Sequence, residues 1–198
     1  MNRKQAAYPK EKDVIIKGHA IVVVVLMLAV RSPEVFAGNS GLETYGDVGK
    51  WAIPGVAAVF SLCCQEGPDK EGFMQLGTSV LVTVGIVQGL KHTVDRERPN
   101  GEDHAFPSGH SAVAFSGASY LHYRYGWQYG TPAYLAASVV GYSRVEADKH
   151  FVSDVVAGAA IANLLSFFLV DSLNQDVVII PVFDSKKPNF GILAMFRF

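Results

Sequence analysis

The sequence predicts an all-α bundle of about five to six helices with a small C-terminal β-hairpin. Three observations predict it. Apolar stretches of helical length follow one another at short intervals between Ala20 and Val170. Those stretches are rich in Ala, Gly and Ser, which lets helices approach closely in lipid or in a tight soluble bundle. After residue 176 the pattern changes to two β-branched and aromatic runs around a polar turn. A length of 198 residues suits one domain. A hydrophobic fraction of 49% with 18% charged residues excludes a disordered chain and is more apolar than most soluble enzymes need. The formal net charge of −1 argues against a broadly basic surface and a nucleic-acid partner. Cys63 and Cys64 are adjacent in an apolar run, so they read as packing residues, with neither disulfide nor zinc spacing.

Taken in order, residues 1–37 begin with a basic stretch (Arg3, Lys4, Lys10, Lys12, Lys17) and an apolar run, Ala20–Val30. Val35 and Ala37 fit the small-x-small end of a signal peptide. The rival reading is an uncleaved first membrane helix, although eleven residues rise only about 16 Å against a hydrocarbon core of about 30 Å. Either reading sends the protein to the bacterial cell envelope. Residues 38–175 carry the main domain. Trp51–Gln65 is apolar and contains Pro54; Gly72–Leu90 is free of charge and long enough to span a bilayer. Ser111–Tyr123 and Thr131–Tyr142 are shorter; Phe151–Val170 is long, with Asp154 near its start. In the tail, residues 176–198, the runs VVIIPVF and ILAMFRF predict a strand pair resting on the helices.

Polar chemistry collects at three helix ends. In KHTVDRERP, Lys91 and Arg98 stand two helical turns apart, so they can share a face, and Pro99 ends the helix near Arg98. In AFPSGHSAVAF, Ser108 is a plausible N-cap, Gly109 permits close backbone approach, and His110 falls in the first turn. The free N–H groups and positive dipole end there attract an anion. In SRVEADKHFVSD, His150 and Asp154 are spaced as helix neighbours, so the carboxylate can hold one ring nitrogen and free the other as a nucleophile. Arg144 lies off that face unless the chain turns near residues 146–149. His92, Asp95 and Glu97 read as solvated helix-end residues, His104 as an exposed loop histidine, and Asp148 and Lys149 as turn formers.

Together these groups imply a reaction. Lys91, Arg98 and Arg144 with a helix N-terminus make a site for a phosphate of nearly two negative charges. His150, with an orienting carboxylate, suits attack on phosphorus. His110, with no local anchor, suits protonation of the leaving oxygen and then activation of water. The cations would stabilise the equatorial oxygens, so neither metal nor cofactor is required.

The spacing K-x6-R-P at Lys91–Pro99, P-S-G-H at Pro107–His110 and S-R-x5-H-x3-D at Ser143–Asp154 resembles, in order, the three motifs of the type 2 phosphatidic acid phosphatase superfamily. Vanadium haloperoxidases and bacterial class A acid phosphatases share those motifs. The resemblance implies a helical bundle with a metal-independent phosphatase site. It makes Lys91, Arg98, Ser108, Gly109 and Arg144 phosphate ligands, His110 the general acid, His150 the nucleophile and Asp154 its partner. Membrane-embedded members have six spanning helices with the motifs on the outer side of the cytoplasmic membrane, and the basic N-terminal region agrees with that orientation. The favoured reading is thus a phosphatase that hydrolyses a phosphate ester or diphosphate of a lipid through a phosphohistidine intermediate, at the inner membrane facing the periplasm or in the periplasm after cleavage. Alternatives are a soluble acid phosphatase acting on small phosphate esters, a lipid phosphotransferase, a vanadate-dependent haloperoxidase, and an envelope protein without catalysis.

Overall fold

The computed structural model describes residues 39–63, 67–173, 177–183 and 190–196. The signal peptide or first helix expected over residues 1–37 lies outside them. Five helices follow in chain order: α1 (Asn39–Cys63), α2 (Lys70–Thr93), α3 (Gly109–Tyr125), α4 (Trp127–Glu146) and α5 (Val152–Leu169). Strands β1 (Val177–Phe183) and β2 (Phe190–Phe196) pair antiparallel, with Val177 opposite Phe196 and Phe183 opposite Phe190. The expected hairpin therefore forms.

Helix α3 is the hub and packs on each of the other four helices. Its small side chains make that possible. Ser111, Ala112, Ala114, Ser116, Gly117, Ala118 and Ser119 are all buried along it. A Cβ at Gly158 of α5 would fall 2.5 Å from the Ser108 carbonyl oxygen, so the α5–α3 approach requires glycine there. Buried serines in this layer satisfy one another: Ser166 Oγ of α5 lies 3.0 Å from Ser79 Oγ of α2 and 2.8 Å from Ser119 Oγ of α3. The larger side chains of the core, Phe60, Tyr120, Leu121 and Val140, lie toward the inner faces of α1, α3 and α4.

Helices α2 and α5 are long and apolar enough to cross a membrane. They present Met74, Leu81, Ile86, Val156, Leu164 and Phe168 outward.

Helix α1 begins twelve residues before the expected Trp51. Its extra turns are polar and glycine-rich, so hydropathy hides them. The buried stripe is nevertheless helical in period: Leu42, Gly46, Gly49, Ile53, Ala57 and Phe60. Two of its members are glycines because α4 comes so close; a Cβ at Gly49 would lie 2.7 Å from Val140.

Candidate active site

Because consecutive helices run in alternating directions, the starts of α1, α3 and α5 and the ends of α2 and α4 meet at one end of the bundle. There a cavity of about 410 Å³ is lined by Lys91, Arg98, Gly109, His110, Arg144 and His150. All three motifs thus reach one space, and both histidines share it.

Each residue arrives by a local device. Lys91 is in the last turn of α2, and its Nζ donates to the His104 carbonyl at 2.6 Å. The helix does not continue to Arg98 as expected. It stops at Thr93, where Val94 is extended, and Arg98 comes from the following loop. That loop is braced by its own backbone: Ala105 N–H donates to Arg96 O at 2.8 Å and Arg98 N–H to Glu102 O at 2.7 Å. Two non-glycine residues in the loops around the site have positive φ, His104 (61°) and Asp148 (53°).

Ser108 caps α3 as expected, its Oγ accepting from Ser111 N–H at 3.4 Å and from the Ser111 hydroxyl at 3.0 Å. It is fully buried and, unlike the other expected phosphate ligands, does not line the cavity. Gly109 faces the opening: a Cβ there would approach only Val87 and Lys91, at 3.8 and 3.9 Å. Backbone N–H groups at this helix start are therefore approachable by an anion.

The turn required between Arg144 and His150 is present. The Arg144 carbonyl accepts from Lys149 N–H at 3.0 Å and His150 N–H at 3.1 Å, folding the chain back after α4. His150 precedes α5, so the expected helix-face pairing with Asp154 is corrected. His150 Nδ1 meets the Ala105 carbonyl at 2.8 Å, and Asp154 Oδ2 stands 3.8 Å away. A carbonyl can only accept, so Nδ1 carries the proton and Nε2 keeps a free lone pair. Asp154, fully buried outside the cavity lining, accepts from Phe151 N–H at 2.9 Å and from Arg96 at 2.8 Å. It fixes the turn that presents His150 and joins it to the first motif's loop.

Their surroundings hold both histidines neutral. Burial drives His150 down to about 3, and the Lys91 and Arg98 charges push the same way. Burial takes His110 down to about 4, with Lys50 and Arg144 adding to it and Asp47 opposing.

Sequence reasoning missed the contribution of α1. Glu43, Asp47, Lys50 and Trp51 line the cavity beside the motif residues. Asp47 Oδ1 accepts from Arg144 at 2.6 Å and lies 2.8 Å from His110 Nε2, while Lys50 Nζ is 3.0 Å from the same nitrogen. A neutral imidazole satisfies those two neighbours alternately, in its two tautomers. The signal was available: Glu43, Asp47 and Lys50 recur at helical spacing, a face beside the buried stripe.

The PAP2 superfamily profile matches residues 72–176, more than half of the chain. The chain belongs to the PAP2 superfamily. It is a phosphatase of that family. It is 30% identical over 159 residues to the lipid A 4'-phosphatase of Helicobacter pylori, covering 74% of this chain and 78% of that protein. It is 37% identical over 100 residues to the lipid A 1-phosphatase of Porphyromonas gingivalis; the match covers 46% of this chain and only 22% of that longer PAP2 relative. The fold is shared with the crystal structure of Aquifex aeolicus LpxE (TM-score 0.56, 21% identity, 74% of this chain and 92% of that one). It is also shared with a transmembrane PAP2-type phosphatidylglycerolphosphate phosphatase from Bacillus subtilis (TM-score 0.50, 22% identity, 81% of this chain and 86% of that one).

Proposed function

We propose that this PAP2 protein is a membrane-embedded phosphatase of the bacterial envelope that removes a phosphate from a glycolipid of the lipid A class, with its site on the periplasmic side. One observation carries the reading: a single cavity joins a floor of Lys91, Arg98, Arg144 and two histidines to an apolar wall of Trp51, Val84, Val87 and Val113. The floor suits a phosphate and the wall suits an acyl-bearing carrier. The names of the two sequence relatives and the outward apolar faces of α2 and α5 support it.

In this mechanism the phosphoryl oxygens are held by Lys91, Arg98, Arg144 and the N–H groups at the start of α3. His150 Nε2 attacks phosphorus; the P–N bond forms as the P–O bond to the lipid breaks. His110 gives its proton to the departing oxygen. Burial, and after it the Lys50 and Arg144 charges, depress His110; a bound dianion opposes them by favouring the imidazolium, the form that donates. Water then gives a proton back to His110 as its oxygen bonds to phosphorus, the P–N bond breaks, and inorganic phosphate leaves. The positive charges act where the transition state spreads its negative charge.

The test is phosphate release from lipid A in detergent micelles with EDTA present, beside a soluble phosphate monoester. We expect EDTA to leave the rate unchanged and the lipid to be turned over far faster. His150→Ala should lower the rate at least about a thousandfold. Equal rates on both substrates would remove the lipid assignment, and full activity in the variant would remove the nucleophile.

A further inference from the structure

Glu43, Asp47 and Lys50 belong to none of the three motifs, and α1 precedes the residues 72–176 that the superfamily profile matches. Their contacts are unlike those of an ordinary surface. One oxygen of Asp47 sits between the Arg144 guanidinium and the His110 imidazole, 2.6 and 2.8 Å from them. That is a position which the catalytic reading reserves for a phosphoryl oxygen, and a carboxylate oxygen matches such an oxygen in charge and acceptor geometry. The two partners differ in freedom. The Arg144 side chain is 3% exposed, while that of Asp47 is 54% exposed. Among the described residues, Arg144 Nε has no hydrogen-bond partner. The guanidinium is therefore fixed and short of an acceptor, and the carboxylate is free to swing into solvent.

We propose that α1 is a fourth segment of the phosphoryl site, with Lys50 a phosphate ligand and Asp47 a resident anion that the phosphoryl group displaces. This rests on the phosphatase reading and adds two binding residues to it. Substrate enters only the state with the carboxylate out, so Asp47 lowers apparent affinity by the fraction of sites in that state. Lys50 acts in the opposite direction. Its ammonium is 3.0 Å from His110 Nε2, where the phosphoryl oxygens and the leaving group gather. Asp47 also keeps Arg144 compensated between turnovers, because an unpaired buried charge is costly.

The two residues predict effects of opposite sign. In the full-length protein in detergent, inorganic phosphate is titrated by calorimetry and lipid phosphate hydrolysis is followed in parallel. Lys50→Met should weaken phosphate binding about 10- to 100-fold, the loss of one charge-assisted hydrogen bond. Asp47→Asn should tighten it about five- to tenfold and lower KM in step, while the empty protein melts at a lower temperature. Damage to the fold would weaken binding in both variants. Weaker phosphate binding in Asp47→Asn, or unchanged binding in Lys50→Met, overturns the proposal. Wild-type protein that binds phosphate but releases none from lipid refutes the catalytic reading, and the same titrations still decide the roles of Asp47 and Lys50. Wild-type protein that binds no phosphate refutes both.

Discussion

The two ends of the bundle each hold an arginine with carboxylates, and they use it differently. At the end away from the cavity, Arg124 and Asp69 are 5% and 9% exposed and paired at 2.8 Å. Each guanidinium nitrogen and both carboxylate oxygens have partners there. Asp69 also accepts from Gly72 N–H, as the N-cap of α2, and from the Tyr125 hydroxyl, and Arg124 donates to the Asp171 carbonyl. At the cavity end, Arg144 and Arg98 are paired with Asp47, Glu43 and Glu102, which are 41–54% exposed. Among the described residues, both of these arginines keep an unpaired Nε. A saturated ion pair between two buried groups fastens helices together. A fixed cation with a removable partner is a binding site. The difference lies in what surrounds the pair, since an Arg–Asp contact occurs at both ends, at 2.6 Å beside the cavity and 2.8 Å away from it.

The largest effects should separate the two arginines. Arg124→Ala strands the Asp69 carboxylate in the interior and should cost about 3–5 kcal/mol of stability, measured by unfolding in detergent. Replacing both partners, Asp69→Leu with Arg124→Met, should restore most of it. Arg144→Ala lets Asp47 and Glu43 return to water, so stability should change by about 1 kcal/mol or less. Phosphate release should instead fall about 100- to 1,000-fold. If Arg144→Ala unfolds the protein as Arg124→Ala does, the distinction between clamp and site is lost.

Acid should also act on the ends at different pH. His110 and His150 sit near 4 and 3 in the fold against an ordinary 6.5. The unfolded chain therefore takes up protons first on acidification. Stability contributed by the neutral histidines is complete above about pH 6.5 and falls as pH drops toward 4 and 3. Burial raises Asp69, but the bonds from Arg124, Gly72 N–H and Tyr125 outweigh it, so its carboxyl lies below the usual 3.8. Its contribution is lost only as pH falls below that value. Melting temperature followed from pH 7 to 3 should show an upper slope that His150→Asn flattens and a lower one that it leaves alone. An unchanged upper slope in that variant would place the acid sensitivity elsewhere.

Much of this was legible from residue types. Helices α2 to α5 follow their apolar stretches to within a few residues, and Ser108 caps α3 as its type and place suggest. The turn after Arg144 follows from the six-residue spacing to His150, which a straight helix would place on another face. Three things escaped. The polar half of α1 packs through Gly46 and Gly49, and glycine leaves no trace in a hydropathy pattern. The group that orients His150 is the Ala105 carbonyl, and a backbone acceptor has no residue identity to read. The Arg96–Asp154 pair joins residues far apart in sequence, so local spacing made Asp154 a neighbour of His150 alone.

The smallest expected effect sharpens the comparison furthest. Glu43 approaches Arg144 at 3.5 Å and is 41% exposed, so it is a removable partner at the long end of the range. Exposed pairs of this kind contribute about 0–1 kcal/mol. Glu43→Gln should therefore shift the melting temperature by no more than about 4 °C. With one competing carboxylate fewer, phosphate should bind about twofold more tightly, and the gain should disappear in about 1 M salt, where charges are screened within about 3 Å. Asp69→Asn is the control at the other end: its loss of stability should persist in the same salt, because solvent ions do not reach a pair that is buried on both sides. A Glu43→Gln variant as unstable as Asp69→Asn would mean that exposure does not divide scaffold from site in this bundle.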